Sequence, residues 1–173
     1  ARQIENRLPW TPGYDMAGEV VAVGEKVATL VPGDRVMGMV GFPTSGGACA
    51  QFLVAPSTEL AIVPEELELL PAAGLPLAGL TAWQALFDVG ELEPGQKVLV
   101  HAGAGGVGHL AVQFALERGA HVIATASADN RDFLAGGRVH DQTDAPPEDF
   151  AAECYGLDLG QDLVGGDLGQ RSL

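Results

Sequence analysis

Short apolar runs separated by turn residues fill the first part of the chain. "GEVVAVG" (18–24), "RVMGMV" (35–40) and "AQFLVAP" (50–56) alternate with "PGD", "PTSGG" and "PST". Brief β-rich runs punctuated by Gly, Pro, Asp and Ser predict a turn-rich β domain from Tyr14 to Val63. From about Leu70 the runs lengthen. "PAAGLPLAGLTAWQALFDVG" (71–90) carries apolar residues at helical spacing, and "KVLVHAG" (97–103) is a compact strand that stops at a glycine. "HLAVQFALERG" (109–119) places Leu110, Val112, Phe114, Ala115 and Leu116 on a largely apolar helix closed by Gly119, and "AHVIATAS" (120–127) is the next buried strand. A strand, a helix and a second strand in that order predict a parallel sheet with a right-handed crossover. The fold class is α/β, with the change of texture between residues 69 and 70.

Composition limits what such a chain can bind. The 173 residues are 47% apolar and 18% charged, enough to bury the core of one or two compact domains. Nine Lys and Arg against 23 Asp and Glu give a formal net charge of −14. That field repels phosphate backbones and anionic lipid, so neither nucleic acid nor a membrane is expected as a partner. Any bound phosphate has to be gripped locally, by backbone N–H groups and a well-placed Arg. Cys49 and Cys154 form no C-x-x-C pair; they support neither a disulfide framework nor a zinc knuckle and read as small buried hydrophobes. No apolar run is long enough to span a bilayer, and "ARQIENRLPW" lacks the basic start and apolar stretch of a signal peptide, so the cytoplasm is the expected location.

The chemistry-bearing stretch is "HAGAGGVGH" (101–109). Gly103, Gly105 and Gly108 form G-x-G-x-x-G between a predicted strand and a predicted helix, with Gly106 and Val107 inside the loop. One glycine suits the tight turn, one lets backbone approach a pyrophosphate, and one lets helix and strand pack closely. A glycine-rich turn with no ligand shares the spacing; the flanking strand, helix and strand favour the nucleotide cradle.

The quoted stretches together resemble a known family. "PGYDMAGEVVAVG", "PGDRVMG", "AAGLPLAGLTAWQAL" and "VLVHAGAGGVGHLAVQFA" stand in the order and at the distances of the medium-chain dehydrogenase/reductases. Within them the chain looks most like the zinc-free quinone oxidoreductases, the group of zeta-crystallin and related enoyl reductases. The likeness is close from Pro9 to Ser127 and weaker to Leu173. It implies a GroES-like β domain in residues 1–69 and a Rossmann domain, a doubly wound parallel sheet, in residues 70–173. It also implies bound NADPH and hydride transfer to a small-molecule substrate, a quinone or an α,β-unsaturated carbonyl. Family members carry a segment before Ala1 and strands after Leu173, so the chain reads as a fragment of a longer reductase or a shortened descendant. An unpaired sheet edge would then favour a homodimer.

Residue by residue, the resemblance bears on metal, cofactor and site. Zinc alcohol dehydrogenases of the superfamily put a His-Glu pair where this chain has Tyr14-Asp15, and their four-cysteine lobe cannot be built from two cysteines, so no metal is expected. "PGYD" reads as turn geometry and domain closure. His101, His109, His121 and His140 share no ligand spacing and read as structural, with His109 at the helix N-terminus bordering the cradle. The second strand ends in Thr125-Ala126-Ser127, where an NAD-preferring fold places Asp or Glu; this favours NADPH, with Ser127 at the tip. Arg131 has a basic counterpart near the 2′-phosphate in related reductases, a contact worth about 1.5–3 kcal/mol. Asp129 opposes it, and a solvated helix charge is the other reading of Arg131. Thr81 falls where the family has a threonine near the nicotinamide; its other reading is a hydroxyl bonded back to the preceding turn of a buried helix. Trp83 and Phe87, four apart, read as core residues. No catalytic acid is identifiable.

The departures matter too. The third strand belongs after Leu134, where the chain is polar, runs into Pro146-Pro147 and lacks the aromatic that related reductases often stack near adenosine. The fourth, in "GLDLGQDLVGGD", is interrupted by Gly160 and Gln161, a polar amide in a buried sheet. Two functions are therefore open: an NADPH-dependent oxidoreductase, or a non-redox binding or scaffold protein that kept the fold.

Overall fold

The computed structural model describes residues 9–44, 46–135, 141–143 and 156–161. The chain divides into two compact units, Ala1–Leu77 and Ala78–Leu173.

The first unit is built on an antiparallel sheet of β1 (Asp15–Glu19), β2 (Arg35–Met39) and β3 (Leu60–Ile62), in that spatial order. Asp15 pairs with Met39 and Glu19 with Arg35, while Val36 pairs with Ile62. Burial alternates along β2, with Val36 and Gly38 buried between half-buried neighbours, the period of a strand covered on one face. A side chain at Gly38 would collide with the Glu59 carbonyl, so β2 needs a glycine where the chain entering β3 crosses it. "PGD" makes the expected turn: Gly33 has φ 96°, and the Asp34 carboxylate accepts the Val31 N–H at 2.7 Å. The Arg35 guanidinium donates to the carbonyls of Glu65 and Leu67 and holds the chain ahead of α1 (Leu69–Ala72).

Two of the apolar runs do not become strands as read. β1 starts at Asp15 and ends at Glu19, leaving Val21 and Val23 exposed, and "AQFLVAP" is irregular, with Phe52 75% exposed. These residues border an open groove of about 680 Å³ together with Leu30 and Val36. Their β-branched composition suits a strand, but among the described residues they have no ladder partner. Cys49 is exposed, against the expectation that both cysteines are buried; Cys154 lies outside the described residues.

The second unit holds a parallel sheet in the order β6-β5-β4-β7. Its strands are β4 (Lys97–Val100), β5 (His121–Thr125), β6 (Asp141–Thr143) and β7 (Leu159–Gln161). α3 (Gly108–Glu117) joins β4 to β5, and α4 (Arg131–Ala135) follows β5. Val98, Leu99 and Val100 are all buried, as are Val122, Ile123 and Ala124 beside them, the continuous burial of strands covered on both faces. α3 buries Leu110, Ala111, Val112 and Ala115 and is closed as expected by Gly119, at φ 83°. Both weak strands form. β6 pairs with Ile123 to Thr125 through its backbone, and β7 pairs with Val98 to Val100 despite Gly160 and Gln161.

α2 (Pro76–Trp83) passes into a π-helical turn, Gln84–Val89. Trp83 is 46% exposed and so is not the core residue it resembles in sequence: its ring meets Phe87 and Phe114 edge to face, at 4.6 and 5.7 Å, while Arg118 covers Phe87. Among the described residues no helix is long and apolar enough to cross a membrane.

Candidate functional site

The chain runs from β4 out to β5 and β6 and then returns to place β7 on the other side of β4, so the strand order reverses at β4. In open α/β sheets ligands gather outside the carboxyl end of that strand. The glycine loop begins there. His101 N–H donates to Gln161 O across the switch point, and Gly103 N–H donates to Thr125 O at 2.8 Å on the other side.

The glycines divide their work unequally. A Cβ at Gly103 would lie 2.8 Å from the Ala124 Cβ and 3.5 Å from Val112 and Leu134, so this glycine lets the loop sit on β5. One at Gly108 would strike the Ala102 carbonyl, so this glycine lets α3 start against the loop. Gly105, 3.1 Å short of the same carbonyl, and Gly106, with nothing within 4 Å, are exposed. They keep the outer face of the loop free of side chains. The turn itself is made by a residue the spacing does not mark: Ala102, at φ 52°, is left-handed.

α3 has no side-chain cap, Val107 standing at its N-cap; of its first-turn amides, those of His109 and Ala111 donate to the Gly105 and Val107 carbonyls. The helix dipole supplies positive potential in a chain of net charge −14. His109 is tied inward, its Nδ1 2.9 Å from Gly105 O, and it meets Phe133 edge to face. Buried His101 has its Nδ1 3.1 Å from Thr125 Oγ1, which also accepts the Ala102 N–H at 3.2 Å.

The other sequence-derived residues lie on other elements. Ser127 is exposed after β5, its hydroxyl accepting an Asn130 Nδ2–H at 2.9 Å and its carbonyl the Asn130 N–H, which starts a 3₁₀ turn, Ala128–Asn130. Arg131 opens α4; its side chain lies outside what is described. Thr81 is exposed on α2, not buried within it. In the first unit the Tyr14 hydroxyl donates to Pro43 O and its ring meets Phe42 edge to face, which fits a turn-forming role for "PGYD". The Asp15 carboxylate accepts the Leu77 N–H at 2.8 Å; burial raises its pKa above the usual value, and this bond partly offsets the rise.

The alcohol dehydrogenase GroES-like domain family matches residues 2–65. The quinone oxidoreductase from Coxiella burnetii is 43% identical with a TM-score of 0.90, over 99% of this chain and 54% of that one. The CurK enoyl reductase is 31% identical with a TM-score of 0.84, over 95% of this chain and 50% of that one. The Escherichia coli quinone oxidoreductase, solved with NADPH, is 30% identical with a TM-score of 0.82, over 95% and 52%. The chain spans about half the length of these proteins. A GroES-like β unit followed by a parallel sheet in Rossmann order, with these relatives, makes the chain a member of the medium-chain dehydrogenase/reductase superfamily, alongside its quinone oxidoreductases and enoyl reductases.

Proposed function

We propose that the chain contributes the nucleotide-binding part of an NADPH-dependent oxidoreductase acting on a quinone or an activated C=C bond. The observation that carries the reading is the outer face of the 101–108 loop, which Gly105 and Gly106 leave open at the carboxyl end of β4. A side chain there would fill the space that a pyrophosphate needs, and the loop as built fits the group.

In this reading the loop of Gly103, Gly105, Gly106, Val107 and Gly108 holds the pyrophosphate: Gly103 and Gly105, whose amides bond to Thr125 O and Ala102 O, shape it, and Gly106, Val107 and Gly108 offer backbone amides and the α3 dipole. Ser127 and Arg131 take the 2′-phosphate, and Thr81 takes the nicotinamide end. When bound, NADPH supplies the hydride. What this chain's residues add is binding, orientation and a positive terminus against a negative surface; no proton donor is assigned, and positioning carries much of the work. The assembled enzyme forms a homodimer.

The test is NADPH oxidation by 1,4-benzoquinone and by a simple enone, alongside equilibrium binding of NADPH and NADH. The reading expects turnover with at least one acceptor, and NADPH binding at least about tenfold tighter than NADH. Tight NADPH binding with no oxidation in either assay would favour the non-redox binding role instead.

A further inference from the structure

We propose that Thr125 is a positioning residue for the nucleotide loop, its hydroxyl locking the left-handed residue from which the loop hangs. The inference rests on the reading of residues 101–108 as the pyrophosphate cradle. Thr125 is the last residue of β5, and the β4–β5 register that pairs Val100 with Ala124 brings it beside His101. Three contacts converge on it. Its Oγ1 accepts the Ala102 N–H at 3.2 Å, its carbonyl accepts the Gly103 N–H at 2.8 Å, and its Oγ1 lies 3.1 Å from Nδ1 of buried His101.

Ala102 needs such a hold. An L side chain occupies φ 52° only where its surroundings impose it. Much of the loop is then built on this residue's carbonyl: it accepts the Gly105 N–H at 2.8 Å, it is what a side chain at Gly108 would strike, and it lies 3.1 Å from a Cβ position at Gly105. Where Ala102 O points therefore sets where the Gly105–Gly108 segment points.

The chemistry calls for a hydroxyl rather than a shape. A hydroxyl can accept from Ala102 N–H while donating to the imidazole nitrogen, tying two consecutive residues of the loop to β5. Valine has the same outline and can do neither; serine can do both. Ser127, two residues on, is engaged differently, with Asn130. The end of β5 thus carries two separable duties, the loop at Thr125 and the cofactor's 2′ side at Ser127.

The experiment compares wild type, Thr125→Val and Thr125→Ser, each first shown to be folded by circular dichroism. Amide hydrogen exchange is read without nucleotide, and binding of NADPH and NADH is titrated separately. Thr125→Val is expected to speed exchange at Ala102, Gly103 and Gly105. It should weaken both nucleotides by the same factor, about tenfold, because they share the pyrophosphate. Thr125→Ser should restore both readouts. Unchanged loop exchange in Thr125→Val, or a serine variant that behaves like valine, would overturn the proposal. A shift in the NADPH to NADH ratio would move the role to the strand tip and overturn it as well. If wild type binds neither nucleotide, the cofactor reading fails while the exchange data still decide whether Thr125 holds the loop.

Discussion

The two units use similar amounts of apolar sequence to different effect. In the second, Val98 to Val100 and Val122 to Ala124 are buried in succession, with α3 packed against both strands. In the first, the described core is Leu30, Val36, Val40, Val63 and Ala72, while Val21, Phe52 and Val54 stand exposed along an open groove. Buried area contributes about 25 cal/mol per Å², so the same residue types stabilise one unit strongly and the other little. The difference has a functional side: the glycine loop hangs from the well-packed unit, where a Cβ's width decides what fits.

The sharpest break of that comparison is in the cores. Leu99→Ala, at a fully buried position, should cost about 3–4 kcal/mol in urea denaturation, whereas Phe52→Ala should change stability by less than about 0.5 kcal/mol. Equal effects would mean that the groove is closed in solution. Next is Gly108→Ala, whose methyl meets the Ala102 carbonyl: a loss of about 3 kcal/mol is expected, against almost none for Gly106→Ala, where nothing lies within 4 Å. Thermal melts of the two variants make the check.

Gln161 is the flaw in the well-packed unit. It is 7% exposed, and among the described residues neither amide atom meets a hydrogen-bond partner. Gln161→Leu should stabilise the protein by about 1–2 kcal/mol, and a destabilised variant would reveal a partner for the amide.

Arg131→Ala should reduce the preference for NADPH over NADH about tenfold, the equivalent of about 1.4 kcal/mol, in paired titrations. An unchanged ratio would assign Arg131 to solvent.

The smallest effect concerns Asp15 in the first unit. Its pKa is raised chiefly by desolvation, so the folded state favours the protonated form: that stabilisation is present below the ordinary value of 3.8 and lost as pH rises through the raised one. Asp15→Asn keeps an oxygen for the Leu77 N–H and removes the buried charge. It should melt slightly higher than wild type at pH 7, with the gap closing as pH falls toward 4; a gap that widens on acidification would contradict this.

These contrasts also govern what could be read from the sequence. β4, α3 and β5 were legible because continuous apolar runs and a closing glycine leave little choice when both faces are covered. β3 was not, because "LAI" carries too short a pattern, and Trp83 misled because helical spacing does not distinguish a core ring from one packed edge to face at the surface. β6 and β7 were underrated because backbone pairing to β5 and β4 forms with side chains that composition alone disfavours. At the site the glycine spacing was readable. The left-handed Ala102 and the Thr125 hydroxyl beneath it were not, since both depend on the register between strands whose paired residues are 24 apart in the chain.

The central claim is that the open face of the glycine loop is nucleotide space. An equilibrium titration of this chain with NADPH, followed by nucleotide fluorescence, tests it most directly when paired with Gly106→Val. Position 106 has room for a side chain, so the variant should fold as wild type does. The account predicts saturable binding to the wild type and a loss of at least about a hundredfold in the variant, since the new side chain occupies ligand space. Equal NADPH affinity in the two folded proteins, or no saturable binding to the wild type, would contradict it.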